Sequence, residues 1–446
     1  MIRKCIFILA HLVAKPRALG FYYQLRSNEQ RPRSELISKQ RDALAKYLYF
    51  CRTEIPYFSE KIPKFELDYK DLDLQSIVNA IPILTKRDIV DNRSQLELEC
   101  KKVGPFKYGQ TGGSTGDPLK YRISIKCNDS AFAVLYRGLA LGGYRLGDRL
   151  AVMAGGSLIT KKKNIKTKLI SFCMNTRKYS SYGVNDELFQ EYFDDLAKWK
   201  PKYIRGYATS LFEFAKFVER KNYNLNFVSV FTTAEMLLDE QRKLIEKVFN
   251  TRVFDGYGLN DGGVTAFECK MHNGFHIDTE RGYLEVVNDA GKLVYDQVGR
   301  IIATGFLNRA TPFVRYDTGD LGILSTKKCA CGSPYSILKS LRGRVTDVLK
   351  INDRIIGSPV LTVLMANVNA VRYQFIQLSK EKVVVIIDRS DKYGDADETF
   401  ISESLFSNVG QFDLEYVYDP SVFETVDGGK HKIVINKVPS ARDSDN

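Results

Sequence analysis

Long apolar runs are what this sequence most plainly lacks. No stretch of its 446 residues approaches the roughly 20 uninterrupted apolar residues of a spanning helix, which excludes a multi-pass membrane protein. Cysteine is sparse as well. Eight in the chain, with Cys329-Ala330-Cys331 as the close pair, make no secreted disulfide framework, and a reducing compartment is expected. No Gly-x-x-x-x-Gly-Lys-Ser/Thr string occurs, so a P-loop NTPase is excluded. RNA-recognition, zinc-finger and helix-turn-helix patterns are missing, and no internal repeat is evident.

What is present is the material of a large globular protein. Hydrophobic residues at 44%, aromatics at 12% and charged residues at 27% supply a sizeable core, which excludes disorder, a collagen-like repeat and a disulfide-stapled mini-protein. Lys+Arg 66 exceeds Asp+Glu 53 for a formal net charge of +13, and the cations sit in short clusters such as Lys161-Lys162-Lys163. That distribution favours anionic ligands or membrane surfaces and speaks against nucleic acid as a partner. Cys5 to Ala14 is mostly apolar behind Arg3 and Lys4, which superficially resembles a signal peptide. His11 interrupts the run, and Lys15-Pro16-Arg17 stands where a small-x-small cleavage site belongs. Cytoplasmic residence is expected, with two readings of the segment open: a basic amphipathic helix peripheral at the inner membrane face, or a helix packed on the main domain.

Leu36, Ile37, Leu44, Leu48 and Cys51 fall at helical spacings that end before Ile55-Pro56. From about residue 100 to 345, short β-rich runs such as Leu150 to Met153 alternate with helical stretches at Asp186 to Lys200, Leu211 to Arg220 and Asp239 to Phe249. This is the rhythm of an α/β domain with at least partly parallel sheets. Tyr283 to Val287 and Gly299 to Gly305 lie close together and suggest an antiparallel element. The last segment reads as strands at Arg372 to Leu378 and Lys382 to Asp388, a helix at Glu398 to Asn408, and strands at Leu414 to Tyr418 and His431 to Val438. The expected organisation is an α/β N-terminal domain over residues 1–345, with 1–60 a helical lead-in, and a small α+β domain over 346–446.

The most informative string is Thr111-Gly112-Gly113-Ser114-Thr115-Gly116-Asp117-Pro118. Its glycines allow tight turns that present amide N–H groups inward, and Ser114 and Thr115 add hydroxyl donors suited to a polyphosphate, although a plain surface turn has the same composition. Downstream, Gly256-Tyr257-Gly258-Leu259-Asn260-Asp261 sets a carboxylate four residues after a ring. Arg315-Tyr316-Asp317-Thr318-Gly319-Asp320 offers an acid for two ribose hydroxyls. Leu341-Arg342-Gly343-Arg344-Val345-Thr346-Asp347 brings an arginine for a phosphate, and Asp427-Gly428-Gly429-Lys430 a lysine on a turn. A Ser/His/Asp hydrolase is the alternative that four histidines and many serines allow; it is not the expected one.

In these motifs, and in Ile55-Pro56-Tyr57-Phe58 and Ile81-Pro82-Ile83-Leu84-Thr85-Lys86, the chain resembles the adenylate-forming superfamily over nearly its whole length. Within it the sequence looks most like the phenylacetate coenzyme A ligase branch and its members of capsular and cell-surface polysaccharide biosynthesis. The resemblance implies a large N-terminal adenylate-forming domain with several sheets, a small mobile C-terminal lid, and an ATP- and Mg²⁺-dependent ligase reaction. A small carboxylic acid would attack the α-phosphate, and the acyl group would then pass to a thiol, such as coenzyme A, or an amine. By similarity, Thr111, Ser114, Thr115 and Gly116 cradle phosphates and Asp261 holds Mg²⁺. Asp255 and Tyr257 contact adenine, Asp320 the ribose, Arg344 the ribose or α-phosphate, and Lys430 the bridging and carboxylate oxygens. The chain departs from the superfamily's frequent lysine at Asp117, glutamate at Asp261 and hinge carboxylate at Thr346, where Asp347 follows. Two alternatives stand beside this reading: an aryl-coenzyme A ligase of catabolism, and an inactive nucleotide-binding scaffold among polysaccharide-assembly enzymes.

Cys269, His276, Cys329 and Cys331 offer the three thiolates and one imidazole that complete a tetrahedral structural Zn²⁺ shell, and the resembled branch has similar positions. Four ordinary residues are the other reading, and His272 is a rival ligand. The acid pocket is expected near Met153-Ala154-Gly155-Gly156 and Arg205-Gly206-Tyr207-Ala208, on loops leaving strands.

Overall fold

The computed structural model describes residues 2–66, 73–98, 103–110, 119–154, 165–181, 185–258, 262–344, 348–352, 354–357, 361, 364–365, 367–426 and 430–438. Three helices lead in, Ile2–Ala14, Pro16–Asn28 and Arg33–Glu54. Pro16 starts the second of them, where its missing N–H costs nothing, and the chain turns by 114° there. A short antiparallel hairpin follows, β1 (Phe106–Gln110) with β2 (Lys120–Ser124).

The main sheet has eleven strands: β3 (Leu150–Ala154), β4 (Thr176–Ser180), β5 (Tyr203–Tyr207), β6 (Ser229–Thr233), β7 (Arg252–Gly258), β8 (Thr265–Glu268), β9 (Phe275–Ile277), β10 (Gly282–Val287), β11 (Val298–Gly305), β12 (Tyr316–Ser325) and β13 (Ile337–Arg344). Their spatial order is β10-β11-β12-β13-β9-β8-β7-β6-β5-β3-β4. β3 to β7 are mutually parallel and separated in sequence by helices; from β8 onward every pairing is antiparallel. The change of direction follows connection length. Helices Asp186–Trp199, Ala208–Arg220 and Asp239–Val248 carry the chain back for parallel pairing, while the short β7–β8 and β8–β9 links permit only a reversal. The parallel half packs on the Ala208–Arg220 helix, whose Leu211, Phe212, Phe214, Ala215 and Val218 are buried against Ile204, Val230 and Val253.

Strands β14 (Val348–Ile351) and β15 (Arg354–Gly357) form a hairpin. A four-stranded sheet follows, ordered β18-β17-β16-β21, from β16 (Ala370–Gln377), β17 (Lys382–Arg389), β18 (Asp413–Val417) and β21 (Val434–Asn436). The Asp395–Val409 helix shares its core through Ile401 and Leu405. The last strand expected from sequence is broken in two. Lys430–His431, β20, pairs with β19 (Thr425–Val426), and the chain rejoins the sheet only at Val434. This small unit meets the parallel half at the Ala208–Arg220 helix, where Arg372 pairs with Glu213 at 2.9 Å and Lys216 with Asp388 at 3.1 Å.

Candidate active site

The position of Asp320 comes from an irregularity in β12. Arg300 pairs with Leu321 and Ile302 with Asp317, so Thr318, Gly319 and Asp320 stand against the single residue Ile301. The bulge closes on itself. The Thr318 hydroxyl donates to the Ile301 carbonyl at 2.9 Å, Gly319 N–H to Asp317 Oδ1 at 2.9 Å, and Asp320 N–H to Thr318 Oγ1 at 3.1 Å. Gly319 sits at φ +73°, a conformation that side chains resist. Bulges of this kind re-aim a side chain out of its ladder. Here Tyr257 Oη, from the end of β7, donates to Asp320 Oδ2 at 2.9 Å, and the backbone of Arg344 is the register partner of Asp320 on β13. Three motifs far apart in sequence meet at one point.

The same strand end collects further groups. Parallel strands β3, β5, β6 and β7 deliver Met153, Gly206-Tyr207, Thr233 and Gly256-Tyr257 at their C-terminal ends, where open α/β sheets bind ligands. Gly206 is required there, because a Cβ would lie 2.5 Å from the Met153 carbonyl oxygen. Asp255 is buried; its Oδ1 accepts from Thr232 Oγ1 at 2.6 Å and from Gly256 N–H at 3.0 Å. Burial, and then the neighbouring Glu268, push its carboxyl up to about 6. Arg242 holds Glu268 in a two-pronged contact at 2.9 and 3.0 Å. Asp255, Arg205, Thr232, Thr233 and Gly256 line one small cavity, which brings together the expected acid-pocket strand and the expected adenine strand.

Glu235, just beyond β6, ties the small unit to this edge. Its Oε2 accepts from Thr209 N–H at 2.9 Å and its Oε1 from His431 N–H at 3.0 Å. Lys430, whose backbone pairs with Val426, immediately precedes His431 and is thereby held near Glu235, two residues beyond the end of β6.

Of the other expected site residues, Thr111, Ser114, Thr115, Gly116 and Asp261 lie outside the described residues, as do Asp117, Thr346 and Asp347. The strands flanking the glycine-rich string are described, and Gln110 pairs with Lys120. That hairpin docks on the loop entering β12: Asn308 Oδ1 accepts from Ser124 N–H at 3.1 Å, its Nδ2 donates to the Arg122 carbonyl at 2.8 Å, and Arg122 N–H donates to Thr311 Oγ1 at 2.9 Å. Asn308, Thr311, Thr232 and Glu235 escape sequence reasoning because each acts across a long separation, with no local motif around it.

The glycine-rich string also satisfies the Gly-x-Ser-x-Gly spacing of a hydrolase elbow, at Gly112 to Gly116. A hydrolase needs a histidine base, and all four are engaged elsewhere. His11 Nε2 meets Tyr136 Oη, His272 lies against Glu268 and Arg242, His431 Nε2 faces the Tyr373 carbonyl, and His276 belongs to a cysteine cluster.

In that cluster the ligand atoms of Cys269, His276, Cys329 and Cys331 lie within 4.8 Å of one another. Cys269 Sγ is 3.7 Å from Cys329 Sγ, and Cys331 Sγ is 3.6 Å from His276 Nε2. Tetrahedral zinc–sulfur bonds of ~2.3 Å place sulfurs about 3.8 Å apart, so the four side chains fit a zinc ion. The rival ligand His272 stands outside the group. Burial raises the Cys269 thiol to about 12, and burial with Arg137 lowers His276 to about 4. The imidazole is thus held in its neutral, metal-binding form, and the buried Cys269 thiol needs a cation beside it to ionise.

No family model matches the chain. Among curated proteins it is 26% identical to Protein CapK of Staphylococcus aureus, over 97% of this chain and 96% of that protein. It is 25% identical to the phenylacetate-coenzyme A ligase of Thermus thermophilus, over 86% and 85% respectively. Among solved structures, 2-hydroxyisobutyryl-CoA ligase in the postadenylation state with 2-HIB-AMP aligns with a TM-score of 0.70 at 17% identity, covering 94% of this chain and 92% of that one. The same ligase with 2-HIB-AMP and CoA in its thioesterification state aligns with a TM-score of 0.59 at 18% identity, covering 94% and 93%.

Proposed function

The chain belongs to the adenylate-forming superfamily, in its phenylacetate-coenzyme A ligase-like branch, and from that premise we propose that it is an ATP-dependent carboxylic acid ligase. The observation that carries the reading is the meeting of Tyr257, Asp320 and the Arg344 backbone at the strand edge to which Glu235 ties the Lys430 segment.

In the proposed reaction a carboxylate oxygen attacks the α-phosphorus of ATP. The bond to the bridging oxygen breaks, pyrophosphate leaves, and an acyl-adenylate remains. A thiol or amine then attacks the acyl carbon and AMP leaves. The first step gathers negative charge and asks for cations and N–H donors more than for a base. Thr111, Ser114, Thr115 and Gly116 serve the phosphates and Arg344 the ribose or α-phosphate, while Asp261 receives the Mg²⁺ that arrives with ATP. Tyr257 and Asp255 border the adenine and Asp320 takes the ribose hydroxyls. Lys430 completes the charge when the 346–446 lid domain closes, which excludes water from the labile adenylate.

Capsular or cell-surface polysaccharide biosynthesis is the setting we assign, on the likeness to CapK; the likeness to a phenylacetate-coenzyme A ligase favours a second reading, an aryl-coenzyme A ligase. Exchange of labelled pyrophosphate into ATP across a panel of carboxylic acids tests the ligase. Exchange with one acid supports it; silence with every acid, together with tight ATP binding, leaves the scaffold. Adding coenzyme A or an amino sugar then separates the two ligase readings.

Asp320→Ala removes a charged acceptor of two ribose hydroxyls. At ~1.5–3 kcal/mol for hydrogen bonds to a charged group, the KM for ATP rises roughly 10–100-fold. An unchanged KM takes Asp320 away from the ribose.

Zinc at Cys269, His276, Cys329 and Cys331 is structural in this reading, because all four ligands come from the chain and no position stays open. It would staple the β8–β9 turn to the loop between β12 and β13. Elemental analysis is expected to find one zinc per chain, and Cys329→Ser to lose it with a fall in melting temperature on the order of 10 °C. Metal-free protein with an unaltered melting curve contradicts the assignment.

A further inference from the structure

The first helix, Ile2–Ala14, is apolar on two faces. One face docks: Phe7 is 1% exposed, and His11, fully buried, meets Tyr136 Oη at 2.9 Å through Nε2. The other face looks out, with Leu9 61%, Leu12 52% and Val13 86% exposed. Beside it runs the Ile165–Cys173 helix, with Leu169 60%, Ile170 49% and Phe172 49% exposed, and the Arg3 guanidinium lies 4.0 Å from the Phe172 ring centre. Two neighbouring helices that both expose large apolar side chains in this way mark an interaction site.

The charged residues in the two helices that carry the patch are all basic. Neither helix contains Asp or Glu, and neither does the intervening Pro16–Asn28 helix. The first two helices and the residue between them contribute Arg3, Lys4, Lys15 and Arg17, while Arg26 pairs with Glu29 at 2.7 Å. Asp148, which pairs with Lys4 at 3.7 Å, is itself buried. A second copy of the chain would set these cations against their own kind. Among the described residues, no single helix is long and apolar enough to cross a membrane.

We propose that this face docks on an anionic lipid bilayer, with Leu9, Leu12, Val13, Leu169, Ile170 and Phe172 entering the headgroup boundary and the surrounding Lys and Arg residues meeting lipid phosphates. Binding needs both halves: apolar insertion alone is weak, and the cations attract the protein to a negative surface within a Debye length. The inner face of a cell membrane supplies such a surface. Docking requires no unfolding of the first helix, which stays held through Phe7 and His11.

Co-sedimentation of the full chain with vesicles of phosphatidylglycerol and phosphatidylcholine, against vesicles of phosphatidylcholine alone, tests the proposal. We expect pelleting with the anionic vesicles, falling as salt rises. Val13→Glu and Leu169→Glu, on different helices and both at exposed positions, are each expected to weaken it about tenfold or more while adenylation in solution stays unchanged. Three results overturn it: no pelleting at low salt, equal pelleting with neutral vesicles, or a wild-type dimer in analytical ultracentrifugation that either substitution dissolves.

Discussion

Lys430→Ala lowers carboxylate-dependent pyrophosphate exchange by ~10²–10³-fold, the scale of losing one charge-stabilising donor from a water-excluded site. Lys430 follows a Gly-Gly pair and opens β20, and the next residue, His431, is tied through its N–H to Glu235 at 3.0 Å. Glu235 also caps the start of the Ala208–Arg220 helix through Thr209 N–H, so one carboxylate sets the lysine segment against the edge where β5 and β6 end. A lysine with no part in the chemistry leaves the rate where it was. Retained turnover in a folded Lys430→Ala protein removes it from the mechanism. Arginine at 430 keeps the charge but changes its geometry, and is expected to restore only part of the rate.

Arg315→Met destabilises the large domain by about 3–5 kcal/mol, because it strands a buried carboxylate. Arg315 is 3% exposed and uses its guanidinium fully. Nε and Nη2 bind Glu285 at 3.2 Å each, Nη1 donates to the carbonyls of Val78 at 3.1 Å and Ile81 at 2.9 Å, and Nη2 donates to that of Gly291 at 2.9 Å. Its backbone carbonyl accepts from Leu84 N–H at 2.9 Å, and Asp317 N–H donates to the Leu84 carbonyl at 2.9 Å. The arginine therefore staples the Ile81-to-Lys86 segment to the strand that carries Asp320. Urea unfolding followed by tryptophan or circular dichroism checks the loss. Adding Glu285→Gln to Arg315→Met recovers part of it, since the second change removes the orphaned charge. A shift below about 1 kcal/mol contradicts the staple.

The two motifs joined by Arg315 show where sequence reading succeeds and where it stops. Ile81 to Lys86 and Arg315 to Asp320 are legible as strings, because each concentrates chemistry within six residues. Nothing in either string states that they pair. The alternation of helical and strand-like stretches gave a partly parallel sheet, and the close spacing of Tyr283 to Val287 and Gly299 to Gly305 gave the antiparallel element. The eleven-strand order, which places β13 between β12 and β9, arises from pairings that no local period encodes. The bulge that aims Asp320 was also hidden: its glycine is visible, but the single opposing residue Ile301 is known only from the register. His11 is the converse case. As a sequence feature it interrupts an apolar run; in the fold it anchors the first helix to Tyr136. The cysteine cluster was legible because thiol and imidazole are scarce in this chain, so that four of them in two groups stand out.

A crystal structure of the protein with bound ATP tests the central claim most directly. The account predicts the adenosine at the C-terminal edge of β5, β6 and β7, with both ribose hydroxyls on the Asp320 carboxylate, adenine beside Tyr257, and the phosphates running toward the hairpin of β1 and β2. Nucleotide bound elsewhere, with Asp320 still accepting from Tyr257 and from no ribose hydroxyl, would contradict it.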